Sequence, residues 1–181
     1  GCHARDLRVA SPAVTRFTTR DTRAFGGIHI CAGDSDPQVL ELHFYDAEGI
    51  DLSTGAEKKV ERLYFRQEFR RAFFEDMGEI IYPPRALEYY TEGLEVALRA
   101  MGPVGRGFKV VADLGLSPAA YVLPQVAAEW KMDLISRRGF VDSERSRETV
   151  EQRDSHISEL AAAVELSRPT SVLPWTPVPS G

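Results

Sequence analysis

The stretch "FKVVADLGLSPAAYVLPQVAAEWKMDLIS", residues 108–136, restricts the fold more than any other. FKVVADL is a near-continuous apolar run, the mark of a strand buried on both faces rather than one. "GLSP" interrupts it, with Ser117 the expected N-cap and Pro118 the first residue of a helix. "KMDLIS" (131–136) then reads as a second strand. Strand, helix and strand at this spacing form a βαβ unit. The fold class is therefore expected to be α/β, with mixed β-sheets sandwiched by helices.

The preceding sequence supplies further elements. "DLRVASPAVTRFTTR" (6–20) predicts a strand, a Ser-Pro break and a helix starting near Pro12 with Ser11 as cap. "GGIHIC" predicts a short strand, and "VLELHFYD" alternates, with Leu40, Leu42 and Phe44 on one face and Glu41, His43 and Tyr45 on the other. "DAEG" (46–49) is a turn. A long amphipathic helix is expected from Ser53 to Phe74, with Ala56, Val60, Leu63, Phe69 and Phe73 as its stripe. "YPP" (82–84) marks the expected boundary between a first domain (1–83) and a second (84–181). A second amphipathic helix follows from Pro84 to Met101, with Leu87, Tyr90, Leu94, Ala97 and Leu98 as its stripe, and "GPVGRG" ends it. Past the βαβ unit, 137–154 reads as a charged loop, "SHISELAAAVELS" as a helix capped by Ser155 with Glu159 near the capping-box position, and "SVLPW" as a last strand.

Composition bounds the partners. The net charge of -5 and the lack of a clustered basic surface argue against nucleic acid; "RRAFF" (70–74) sits beside Glu68, Glu75 and Asp76. No apolar run approaches the roughly 20 residues of a membrane span. The two cysteines, Cys2 and Cys31, make neither a disulfide framework nor a metal motif in sequence, so a reducing cytoplasm is the expected location. The chain starts at Gly1 in mid-pattern and ends in "TPVPSG", which predicts a segment of a longer protein, with a processed chain as the alternative.

In order and spacing, "SPAVTRF", "GGIHI", a loop closed by Pro37, "LHFYDAEG" and "FRRAFFEDMGEI" resemble the first domain of the phosphohexomutases, the phosphomannomutase and phosphoglucomutase family. "YYTEGLEVAL", "GFKVVADLGLSPAAYVLPQVAAEW" and "ELAAAVELS" are similar to that family's second domain. "FGGIHICAGDSDP" and "YFRQEFRRAFF" look most like a branch in which a mutase-like region follows a sugar-1-phosphate nucleotidyltransferase, as in proteins of the mannose-1-phosphate guanylyltransferase type. That likeness implies an upstream nucleotidyltransferase domain in the parent chain and a hexose phosphate as ligand.

The resemblance also implies a chemistry against which these residues are read. The family moves a phosphoryl group through a serine in a T-A-S-H-N-P loop, and Mg²⁺ neutralises the moving charge. Counting back from Pro37, the serine position holds Asp34; Ser35 lies one step out of register, and the loop is one residue longer. Two readings follow: Ser35 slides into place, or the loop has kept its shape and lost its nucleophile. Asp34 and Asp36 on either side of Ser35 would repel a phosphate, which favours loss. The family's cation is held by aspartates in a D-G-D-x-D-R loop late in the second domain, but "TPVPSG" after "SVLPW" contains no carboxylate, so either the motif lies beyond Gly181 or it has decayed, and the position favours decay. The segment is thus expected to be a degenerate mutase-like region with no cofactor of its own, serving assembly, regulation or sugar-phosphate binding. The alternative is an active mutase using Ser35 and Mg²⁺ with its remaining domains elsewhere.

Weaker candidates remain. His29 and His43 lie on adjacent strands but show no ligand-type partner at metal spacing in sequence, so solvent-side or edge positions are expected. "ADLGLSP" could turn backbone N–H groups toward a phosphate but lacks G-x-G-x-x-G spacing, so a plain connection is expected. Arg66, Arg70 and Arg71 are expected as a solvated helix face, Tyr89 and Tyr90 as packing, and Trp130 and Trp175 as core or interface residues.

Overall fold

A computed structural model describes residues 1–33, 36, 38–67, 71–102, 107–142, 145, 148–167 and 171–172. The chain divides into two compact units: residues 1–33 with 39–90, and 34–38 with 91–181.

The first unit opens with β1 (Ala4–Arg5), which pairs in parallel with β4 (Ile80–Ile81). The strand expected at 6–10 does not form; Asp6 Oδ1 instead accepts the Arg8 N–H at 2.7 Å, and Arg8 takes a positive φ of 56°. Helix α1 (Pro12–Asp21) starts as the sequence requires, with the Ser11 hydroxyl accepting the Val14 N–H and Pro12 at the first helical position. The antiparallel hairpin β2 (Gly27–Ala32) and β3 (Leu40–Tyr45) forms where the alternation places it.

The faces of that hairpin are reversed from expectation. Ile28 and Leu42 are 57% and 53% exposed, and Ile30 and Leu40 are exposed beside them, whereas Tyr45 on the opposite face is 3% exposed. Helix α1 packs against β2 and brings buried Val14, Thr15, Thr18 and Thr19 to the covered side. The threonine hydroxyls are compatible with burial because they return to the helix backbone: Thr15 Oγ1 donates to Ser11 O at 3.3 Å, and Thr19 Oγ1 to Thr15 O at 2.8 Å. Gly27 permits the approach, since a Cβ there would lie 2.3 Å from Thr19 Oγ1.

At the "DAEG" turn, Asp46 Oδ1 accepts the Glu48 and Ile50 N–H groups at 2.9 and 3.0 Å, and Gly49 supplies φ 74°. Helix α2 (Thr54–Arg66) ends eight residues before the Phe74 that its apolar spacing predicts. Gln67 enters the left-handed region at φ 54° and its N–H bonds to the Leu63 and Tyr64 carbonyls, which closes the helix as a glycine would. Among the described residues, α2 buries none of its side chains. A single 3₁₀ turn occupies Phe74–Asp76.

Helix α3 (Ala86–Met101) begins in the first unit, where Tyr90 meets Phe17 edge to face at 5.5 Å. Its later part belongs to the second unit and buries Thr91 and Leu98. The second unit is a three-stranded parallel sheet in the order β6–β5–β7, from β5 (Lys109–Asp113), β6 (Asp133–Arg137) and β7 (Ser171–Val172). Val110, Val111 and Ala112 of β5 point alternately to both faces and all are buried, Val111 completely, so both faces of the central strand are covered. Helix α4 (Ala119–Glu129) lies against β6, and α5 (Val150–Ser167) against β5.

Helix α5 starts five residues before the expected Ser155 because a capping box forms further upstream. The Gln152 N–H donates to Thr149 Oγ1 at 3.3 Å, while the Thr149 N–H donates to Gln152 Oε1 at 2.9 Å. No helix among the described residues is long and apolar enough to cross a membrane. The sequence is thus a mixed α/β fold with small parallel and antiparallel sheets flanked by helices.

Candidate functional site

The loop between β2 and β3 begins at Gly33, whose N–H donates to Val39 O at 2.8 Å, so the hairpin ladder closes across its base. Inside it, Asp36 Oδ1 accepts the Gln38 N–H at 2.9 Å. Ser35 and Asp34, the candidate nucleophile and the residue in its register, lie outside the described residues, as does Pro37.

Below the loop, the covered face of the hairpin gathers four chemistry-bearing side chains. The antiparallel register pairs His29 with His43 and Cys31 with Glu41, which sets all four on one face. One ligand atom each from Cys31, Glu41 and His43 lies within 4.8 Å of the other two. His43 Nε2 stands 3.6 Å from Glu41 Oε2. His29 Nδ1 is 3.2 Å from Thr15 Oγ1 of α1. Burial, reinforced by His43 opposite, pushes His29 below the ordinary histidine value. The histidines therefore lie on the covered face of a two-stranded sheet whose strands are both edge strands, and ligand-type neighbours stand beside them. The sequence hid the cluster because its members come from two strands and share no local spacing; the hairpin register was the signal that would have found it.

In the second unit, the C-terminal ends of β5 and β6 carry a second cluster. Arg138, just past β6 at φ 45°, donates from Nε to Asp113 Oδ1 at 2.6 Å and pairs with Glu148 through Nη1. His156 Nδ1 of α5 lies 2.8 Å from the same Nη1 and 3.0 Å from Glu148 Oε1. Nδ1 accepts from Arg138 when it carries no proton and donates to Glu148 when it carries one. Asp113 is 8% exposed and its Oδ2 has no hydrogen-bond partner among the described residues. Open parallel sheets present their ligands at such strand ends, yet every charge here faces an opposite one. The arrangement joins the ends of β5 and β6 to the start of α5.

The turn "ADLGLSP" is a connection, with its N–H groups turned inward. Leu114 and Leu116 donate to the Arg137 and Arg138 carbonyls, Gly115 to Asp113 Oδ1, and Ser117 to Leu114 O. Ser117 lies one residue outside the observed cap, Pro118, and its hydroxyl bonds to Leu114 O at 2.6 Å. No donor of this turn is left for a phosphate. Arg66 closes α2 and Arg71 lies beyond it, so they share no helix face; Arg70 is outside the described residues, as is Trp175. Tyr90 packs on Phe17, while Tyr89 stays exposed under the Arg85 guanidinium at 5.1 Å. Trp130 ends α4, half-buried, with its indole N–H unpaired among the described residues.

In the mutase-type chemistry that the resemblance implies, Mg²⁺ is held by a set of carboxylates. Residues 173–181 contain no carboxylate, and hard oxygen ligands are what that ion requires.

No family model matches the chain. It is similar to a probable phosphoglucosamine mutase of Methanopyrus kandleri, 22% identical over 91% of this chain and 35% of the relative. It is also similar to the phosphoglucosamine mutase of Acaryochloris marina, 27% identical over 83% of this chain and 32% of the relative. A phosphoglucomutase/phosphomannomutase of Thermococcus kodakarensis is 24% identical over 75% of this chain and 30% of the relative. The chain spans about a third of the length of these curated relatives and is related to the phosphohexomutases at low identity.

Proposed function

We propose that this chain is a phosphohexomutase-like region of a sugar-phosphate or sugar-nucleotide protein that no longer transfers phosphate, and that it serves assembly or regulation of its parent chain. The supporting observation is the register of the β2–β3 loop. In a chain related to mutases along most of its length, Asp34 stands three residues before Pro37, and Ser35 is one step out of place between two aspartates. A carboxylate at the nucleophile position cannot form the phosphoserine on which the reaction depends, and its charge repels the incoming phosphoryl group. An upstream nucleotidyltransferase and cytoplasmic residence complete the proposal.

The test is an isomerisation assay on the full-length protein with the 1-phosphates of mannose, glucose and glucosamine, a bisphosphate activator and Mg²⁺. No conversion above a protein-free blank is expected. Turnover that disappears in Ser35→Ala would establish the active alternative, with Ser35 as nucleophile.

A further inference from the structure

We infer that Cys31, Glu41 and His43 form a binding site for a borderline-soft divalent transition-metal ion of the Zn²⁺ class on the covered face of the β2–β3 hairpin. The three residues offer one sulfur, one oxygen and one nitrogen atom within 4.8 Å of one another. Tetrahedral zinc places its ligands roughly 3.3–3.8 Å apart, given bonds of about 2.0–2.3 Å. His43 Nε2 and Glu41 Oε2 already stand at 3.6 Å. Cys31 sits directly across from Glu41 and diagonally from His43, so small side-chain rotations bring its sulfur into range.

The backbone beneath the site is a paired six-residue hairpin, which fixes the ligand positions better than a loop would. All three side chains are half-buried, which lowers the local dielectric while leaving a path for the ion. A thiolate and a carboxylate with a neutral imidazole balance a 2+ charge. The thiolate disfavours Mg²⁺ and Ca²⁺, which take oxygen ligands. Three protein ligands leave a fourth position for water or an exogenous donor. The site is independent of the proposed loss of phosphoryl transfer, because none of its residues is Ser35 or Asp34.

The experiment is a Co²⁺ titration of the metal-stripped, tag-free, full-length protein, followed by displacement with Zn²⁺. Expected are visible ligand-field bands and a near-ultraviolet thiolate-to-cobalt charge-transfer band that saturate at one ion per chain and vanish with Zn²⁺. Cys31→Ser and His43→Gln should each weaken binding by roughly 100-fold or more, beyond what losing a supporting hydrogen-bond partner costs. Cys2→Ser should leave binding unchanged. In the unaltered protein, Zn²⁺ should slow alkylation of Cys31, read by peptide mass, with exposed Cys2 as internal reference; this needs no variant to fold. Absence of the charge-transfer band, binding that survives Cys31→Ser, or alkylation of Cys31 unaffected by Zn²⁺ would each overturn the site.

Discussion

Arg138 and His29 show how much depends on single side chains whose roles no local motif announces. Arg138 compensates Asp113 and Glu148 together, and removing it leaves two largely buried carboxylates without their shared cation. Arg138→Met is expected to cost about 3 kcal/mol, the low end for a broken buried pair because the guanidinium keeps partial solvent access, as read by urea denaturation. His29 is lowered by burial and by His43, so the folded state resists its protonation. With a chelator present, stability should hold above pH ~6.5 and fall as the pH drops through the lowered value, because the unfolded chain then binds more protons. A His29→Gln chain should lose that part of the slope; an unchanged slope would remove His29 as its source.

The elements of this chain were more legible than their surroundings. The continuous apolar run of β5, the alternation of β3 and the Ser11-Pro12 start of α1 each state a local preference that the fold keeps. Alternation, however, fixes only which residues share a face, not which face is covered. Leu40 and Leu42 share theirs, yet Gly27 and the threonines of α1 claim the other side. Leu42→Ser should therefore change stability by no more than about 0.5 kcal/mol. A loss of about 2 kcal/mol or more, expected for a buried leucine, would refute the assigned face. The beginning of α5 was also written in sequence as T-V-E-Q, four residues that the surrounding charge obscured. Thr149→Ala should destabilise by about 1 kcal/mol and lower helicity at the start of α5, seen as faster amide exchange over its first turn. The end of α2 was not readable, because Gln67 adopts a left-handed conformation that sequence assigns to glycine or asparagine.

For the whole molecule, the relationship to phosphohexomutases rests on low sequence identity along most of the chain. The chain runs helix, hairpin, helix, helix, βαβ and helix, and is about a third as long as the relatives it matches. Under the proposed function, the position that the mutase nucleophile would take, three residues before Pro37, holds Asp34. The Cys31, Glu41 and His43 cluster shows the other limit of sequence reading: three unremarkable positions become one candidate site only when two strands are registered. The most direct measurement is the intact mass of the full-length protein after incubation with a hexose 1,6-bisphosphate and Mg²⁺. An unshifted mass is predicted; a gain of one phosphoryl group, mapped to Ser35, would contradict the proposed loss of phosphoryl transfer.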